Sequence, residues 1–182
     1  MTLKIILGDI IKANATFIVN ASNTELTLGS GVSMAFRKEC GGMNFQRKLT
    51  EIKEAHIIKN GAIQQGDVII SDSGNANNFT YALHVAVMNY SKPKTNPYPN
   101  YAHIKKAMQK IVKIVDELSL INNIKPTSIA IPLLGCGVGG LNKARVYAII
   151  QHYFKRTLVS NLEVMVYFFQ EDNLYNFLIK RK

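Results

Sequence analysis

The chain has 182 residues, 47% of them hydrophobic and 19% charged, with a formal net charge of +10. That length suits one domain with a substantial core, and that composition excludes a disordered chain. No run approaches the roughly 18 apolar residues of a membrane span, and Cys40 and Cys136, without a CxxC motif or a Cys/His cluster, indicate neither a disulfide framework nor a metal site.

In chain order, residues 3–7 read as a short apolar strand ending at the turn Gly8-Asp9-Ile10. Nothing in residues 1–9 has the h-region or cleavage site of a signal peptide, so a cytoplasmic location is the expectation. Residues 17–20 form a second strand. It passes through Asn20-Ala21-Ser22-Asn23 to the turn Gly29-Ser30-Gly31, which opens a helix near 32–39 stopped by Gly41-Gly42. Phe45, Leu49 and Ile52, spaced four and three apart, mark a helix from about 44 to 55. Residues 66–70 make a turn and strand, 75–78 a polar turn, and 81–87 a further strand. The proline-rich stretch 91–100 reads as a surface connection, with a lid over a strand end as the alternative.

Ile104, Met108, Ile111, Val115 and Leu118 then share one face of a long helix. After Pro126, residues 128–134 are apolar on both faces, as a central strand is. They run into Gly135-Cys136-Gly137-Val138-Gly139-Gly140 and a helix over 142–158. Residues 162–169 are the last strand, and 171–179 a closing helix. Helices interleave with strands throughout. This predicts an α/β class, a mixed sheet covered on both faces, in a single domain over 1–182.

The positive charge sits on helices (Lys105, Lys106, Lys110, Lys113) and in the tail Lys180-Arg181-Lys182. No aromatic-interleaved basic stripe accompanies it, so it reads as solvated helix faces with weak attraction to polyanions. A basic nucleic-acid-binding protein is an alternative that rests on charge alone.

Two glycine-rich turns each follow an apolar strand and open a helix. The first is preceded by two asparagines three residues apart, which puts uncharged amides at a strand's carboxyl end, where open α/β sheets bind ligands. Glycines uncover backbone N–H groups at a helix N-terminus, a site for phosphate oxygens. An adenylated diphosphate suits such a crevice. The second turn lacks the lysine of a P-loop, and no dinucleotide fingerprint occurs in the first βαβ unit. His84 lies mid-strand among apolar neighbours and reads as a packed histidine. Cys136 has no basic neighbour to activate it and reads as a small loop filler.

Together these pieces resemble the macrodomain family, modules that recognise ADP-ribose. The likeness runs through Gly8-Asp9-Ile10, Val19-Asn20-Ala21-Ser22-Asn23, Leu28-Gly29-Ser30-Gly31-Val32, Gly66-Asp67-Val68, Leu83-His84-Val85-Ala86-Val87, Pro132 to Leu141, and Val166-Tyr167-Phe168-Phe169. The resemblance implies a three-layer α/β/α sandwich with no cofactor and no metal. Its partners are free ADP-ribose or ADP-ribosylated protein or nucleic acid. In the family, the aspartate matching Asp9 accepts from the adenine amino group, and the amide matching Ile10 donates to the ring. An aromatic of the last strand covers adenine, and Phe169 is expected there rather than Phe168. Gly29, Ser30, Gly31 and Val32, with Gly135, Cys136, Gly137, Val138 and Gly139, cradle the diphosphate. Asn23 meets the distal ribose, and Asn20 ties the ligand loop together.

Three departures concern catalysis. Ser33 stands where one hydrolytic branch has an aspartate, and Val87-Met88-Asn89 and Gly139 stand where another has a lysine and an aspartate. Leu28 replaces the histidine of viral relatives. Asn23 and the ligand's own phosphate remain to position a water. The expectation is a binding module; the alternative is an ADP-ribosyl hydrolase or O-acetyl-ADP-ribose deacetylase.

Overall fold

Strands rich in Ile, Val and Phe pair into a six-stranded sheet in a computed structural model that describes residues 1–91, 96–121 and 128–169. The elements are β1 (Thr2–Leu7), a 3-10 turn (Ile10–Lys12), β2 (Ala15–Asn23), α1 (Gly31–Glu39), α2 (Met43–Asn60) and β3 (Val68–Asp72). There follow β4 (Phe79–Met88), α3 (Tyr101–Ile121), β5 (Ser128–Pro132), α4 (Lys143–Phe154) and β6 (Glu163–Phe168). The closing helix expected at 171–179, Pro126, and residues 92–95 of the proline-rich connection lie outside the described residues.

The sheet order is β1-β6-β5-β2-β4-β3. Every neighbouring pair is parallel except β3 with β4. The carboxyl ends of β1, β2, β4, β5 and β6 therefore share one edge. Side chains alternate across each strand, so Phe17 and Val19 pack toward α3 and α4, against Ile111, Val115, Val146 and Ile150. Ile18, Ala82 and Ala130 face the other way, toward Phe36 of α1 and Phe45 and Leu49 of α2. Two apolar layers on one mixed sheet make the α/β sandwich the sequence predicts. Burying each such Leu, Ile or Phe contributes about 1.5–3 kcal/mol.

The edge strand β3 is fastened by a close approach. Gly66 has φ +84, and a Cβ there would lie 2.6 Å from the His103 carbonyl of α3. Beside it, buried Asp67 accepts from Lys106 and Lys110 at 2.8 Å each and from the Gln64 N–H at 2.8 Å. Burial opposes its ionisation, but the hydrogen bonds from the two lysines and the Gln64 N–H, with the Lys106 charge, together outweigh that and hold its carboxyl below the ordinary value.

Two elements outrun their sequence signals. β2 continues through Asn23 rather than stopping at Asn20, because its polar end still pairs with β4 as far as Met88. α2 continues to Asn60, past its apolar stripe, and ends at Gly61 with φ +80. Among the described residues no helix is long and apolar enough to cross a membrane.

Candidate functional site

β2 and β5 pair only at Phe17–Ile129 and Ile18–Ala130. Beyond those residues the two strands part, and each enters its glycine turn at the same edge. The parting leaves a crevice of two adjoining chambers. One, of about 300 Å³, lies between the turns and is lined by Ser22, Asn23, Ser30 and Ser33 on one side and Gly135, Gly137, Val138 and Gly139 on the other. The second, of about 370 Å³, is lined by Gly8, Asp9, Ile10, Tyr167 and Phe169. Gly31, Val32 and Pro132 line both.

α1 begins at the junction of the chambers. Its N-cap, Ser30, makes no side-chain capping bond, and the first helical hydrogen bond is Met34 N–H to Ser30 C=O at 3.2 Å. Among the described residues the N–H groups of Gly31, Val32 and Ser33 thus have no partner, as the first turn of any helix requires. In the second turn, Cys136 N–H bonds Leu133 C=O, Gly140 N–H bonds Gly137 C=O and Leu141 N–H bonds Gly135 C=O. The N–H groups of Gly137, Val138 and Gly139 are left without partners among the described residues. Six donors therefore flank one chamber that, among the described residues, no charged side chain lines. Such a cradle suits an anion bound by backbone and helix dipole rather than by lysine or arginine.

The second chamber has a different chemistry. Asp9 caps the 3-10 turn, its Oδ1 accepting the Ile11 N–H at 3.2 Å, which leaves Oδ2 for an outside donor. Among the described residues the Ile10 N–H has no partner. Phe169 is 73% exposed and lines this chamber, whereas Phe168 is buried in the core, as period-2 alternation requires. An acceptor, a donor and an aromatic face at one mouth are what a flat nitrogen heterocycle with an exocyclic amine needs.

Three residues expected at the ligand line neither chamber: Asn20, Gly29 and Cys136. Asn20 is fully buried. Its Nδ2 lies 3.0 Å from His84 Nδ1, and its Oδ1 accepts from Ser33 Oγ at 3.1 Å. Gly29 turns its N–H back to Thr27 C=O. The Cys136 thiol is aimed at Leu134 C=O at 3.8 Å, and burial pushes it up to about 12, which removes it as a nucleophile at neutral pH.

Asn23 does line the first chamber, but its own loop uses most of it. Oδ1 accepts from Glu25 and Thr27 N–H at 3.0 and 3.3 Å, and Nδ2 donates to Thr27 C=O at 2.9 Å. One N–H remains for a ligand. From α2, Gln46 completes the brace, accepting from Leu28 N–H at 2.8 Å and donating to Leu26 C=O at 3.0 Å. Between them Leu26 is held at φ 51, a left-handed conformation that costs a non-glycine residue on the order of 1–3 kcal/mol.

Ser33 is buried, with its hydroxyl 2.8 Å from Ala21 C=O and 3.1 Å from Asn20 Oδ1. Its surroundings are acceptors, which suit a hydroxyl and would repel a carboxylate. Behind Asn20 the chain of bonds continues: His84 Nε2 is 3.0 Å from Ser71 Oγ, which donates to Asp72 C=O at 2.8 Å. With Nδ1 accepting from Asn20, the imidazole carries its proton on Nε2. Complete burial holds His84 neutral, its pKa lowered to about 3.

Sequence reasoning missed Tyr90, Met88 and Pro132 in the first chamber and Tyr167 in the second. Each arrives by strand pairing rather than by local motif. The only available signal was position: all lie at or just past the carboxyl ends of parallel strands.

A profile described as Macro domain matches residues 19–150. The chain is 29% identical over 161 residues to O-acetyl-ADP-ribose deacetylase 1 of Pantoea vagans, covering 87% of this chain and 84% of that protein. It is 24% identical over 172 residues to the macro domain-containing protein VPA0103 of Vibrio parahaemolyticus, covering 94% and 92%. In fold it resembles a mutant Oceanobacillus iheyensis macrodomain with ADPR, at TM-score 0.75 and 22% identity over 98% of this chain and 91% of that one. A Trypanosoma brucei macrodomain in complex with ADP-ribose matches at TM-score 0.72 and 17% identity over 99% and 69%.

Proposed function

The chain belongs to the Macro domain family, and from that premise we propose that it binds ADP-ribose, free or attached to a partner. The observation that carries this reading is the pairing of the two chambers. One offers Asp9, the Ile10 amide and the Phe169 ring, suited to adenine. The other offers six backbone donors between two glycine turns, suited to a diphosphate. Asn23, with one N–H to spare, and Ser22 lie on the strand-end side of that chamber, where the second ribose would reach.

Titration calorimetry against ADP-ribose, ADP, AMP and ATP tests the reading. ADP-ribose is expected to bind more tightly than AMP, since AMP fills one chamber and only the entrance of the other. Equal affinity for the two would overturn the two-loop cradle.

The name of the Pantoea relative favours a second reading, removal of an acyl or ADP-ribosyl group from the distal ribose. Against it, no carboxylate, histidine or lysine among the described residues lines the chamber that holds Asn23, so none of them there serves as the general base that supplies about 10²–10⁴-fold. A water positioned by Asn23 and the diphosphate would act by orientation alone. Incubation with O-acetyl-ADP-ribose and with mono-ADP-ribosylated protein decides between them. The expected result is retention of ligand with little product; rapid turnover would put the enzyme reading first.

A further inference from the structure

Among the described residues, Ser22 Oγ is the buried side-chain oxygen or nitrogen without a hydrogen-bond partner. Ser22 is only 4% exposed, and it lines the chamber between the glycine turns. Native structures rarely leave such a group unsatisfied, and where they do the group usually awaits a water, an ion or a ligand.

The strand around it is irregular at that point. Ser22 pairs with Ala86, but the next residue, Asn23, pairs with Met88, so Val87 is an extra residue on β4. The Val87 carbonyl accepts from Gln65 Nε2 at 2.9 Å, and Val87 lines the same chamber as Ser22. A bulge of this kind ends regular pairing and re-aims the side chains beside it, and bulges gather next to ligand sites.

The neighbouring polar groups are already committed or of the wrong kind. The six free backbone N–H groups only donate, which suits anionic oxygens. Asn23 Oδ1 holds two N–H groups of its own loop, and Ser33 Oγ points its proton at Ala21 C=O and Asn20. Thr27 and Ser30 are exposed and keep water as a partner. A serine hydroxyl both donates and accepts, as a sugar hydroxyl does.

We propose that Ser22 is a specificity-determining residue that exchanges a hydrogen bond with a hydroxyl of the ribose beyond the diphosphate. The proposal rests on the ADP-ribose reading above. It gives Ser22 a contact that ADP and AMP, which end before that ribose, do not make.

The test is calorimetry of wild type and Ser22→Ala against ADP-ribose and ADP, with thermal midpoints of both proteins. Loss of one neutral hydrogen bond is expected to weaken ADP-ribose about 5- to 12-fold. ADP affinity is expected to be unchanged, and the midpoint to hold or rise, because the deleted hydroxyl has no partner among the described residues. A structural hydroxyl would behave oppositely, lowering the midpoint and weakening both ligands alike; that result overturns the proposal. So does a Ser22→Ala variant that keeps the full wild-type preference for ADP-ribose over ADP. Should wild type itself show no such preference, the ADP-ribose reading falls and the role of Ser22 falls with it.

Discussion

The two glycine turns that face each other across the crevice are held by different physics. The first, from Asn23 to Ser33, is tied by side-chain hydrogen bonds: Asn23 and Gln46 to its backbone, and Ser33 to Ala21 and buried Asn20. A Cβ added at Gly29 or Gly31 meets nothing within 4 Å. Among the described residues the second turn is closed by its own backbone hydrogen bonds and held by contact. A Cβ at Gly139 would lie 2.6 Å from Gly135 C=O and 2.9 Å from Pro99 Cγ, and one at Gly135 would lie 2.9 Å from Leu141 Cδ1. Its tip is open: among the described residues, a Cβ added at Gly137 meets nothing within 4 Å. The same residue type therefore serves two ends. Gly135 and Gly139 let the loop pack, whereas Gly137 leaves room in the chamber.

Breaking the packed half should give the largest effect. Gly139→Val forces a branched side chain into the Gly135 carbonyl and Pro99, and overpacking of that kind costs about 3 kcal/mol. Thermal unfolding is expected to show a midpoint lower by roughly 9 °C for a chain of this length. A midpoint within a degree or two of wild type would mean that the loop yields, and that contact does not hold it.

Gly137→Val probes the open half. Its side chain projects where an anion must approach the Val138 and Gly139 amides, so ADP-ribose affinity should fall at least about 100-fold, or roughly 2.7 kcal/mol. Stability should change by no more than about 0.5 kcal/mol, as at other unobstructed surface positions. If binding survives, the second turn does not cradle the ligand.

Much of this contrast was legible in the sequence, and some was not. Alternating and continuous apolar runs marked the strands and both helix layers, because burial on a sheet imposes period 2 and on a helix period 3.6. The glycine runs marked both turns. Nothing local separated Gly137 from Gly139, because Pro99, which fills the space beside Gly139, lies 40 residues upstream on another segment. Asn20 and Asn23 looked alike as strand-end amides, yet Asn20 sits in the core beside His84, whereas Asn23, past the irregularity in β2–β4 pairing, lines the chamber. Tyr90 and Tyr167 were invisible for the same reason: strand order, not neighbouring sequence, brings them to the crevice.

The hydrogen-bonded turn should also respond to pH where the packed turn does not. His84 supports it through Asn20, and its pKa is lowered by burial from 6.5 to about 3. The unfolded chain therefore takes up a proton below about pH 6.5 that the folded chain refuses. The stability associated with neutral His84 is complete above that value and is lost as pH falls from about 6.5 toward 3. At pH 5 the loss relative to neutral pH is about 2 kcal/mol. His103 is shifted in the same direction by partial burial and Lys106, so the decisive quantity is the difference between wild type and His84→Phe. Denaturant titrations of both between pH 7 and 5 should show the steeper loss in wild type. Parallel slopes would mean that the imidazole is protonated within the fold.

The smallest expected effect lies outside both turns and calibrates them. Asp9, which lines the second chamber, has one carboxylate oxygen occupied by Ile11 N–H, and the other has no partner among the described residues. Asp9→Ala should remove a charge-assisted hydrogen bond to an adenine amino group and weaken binding by about 1.5 kcal/mol. Because every adenine nucleotide would make that bond, AMP, ADP and ADP-ribose should all weaken by the same factor. The turn variants should behave differently, with Gly137→Val penalising ADP-ribose far more than AMP. Calorimetry across the three ligands reads both patterns at once. If Asp9→Ala spares AMP while weakening ADP-ribose, adenine does not occupy the Asp9 chamber, and the ligand must lie in the crevice the other way round. The six amides would then still bind the diphosphate, but Phe169 would face the distal ribose and Ser22 the base.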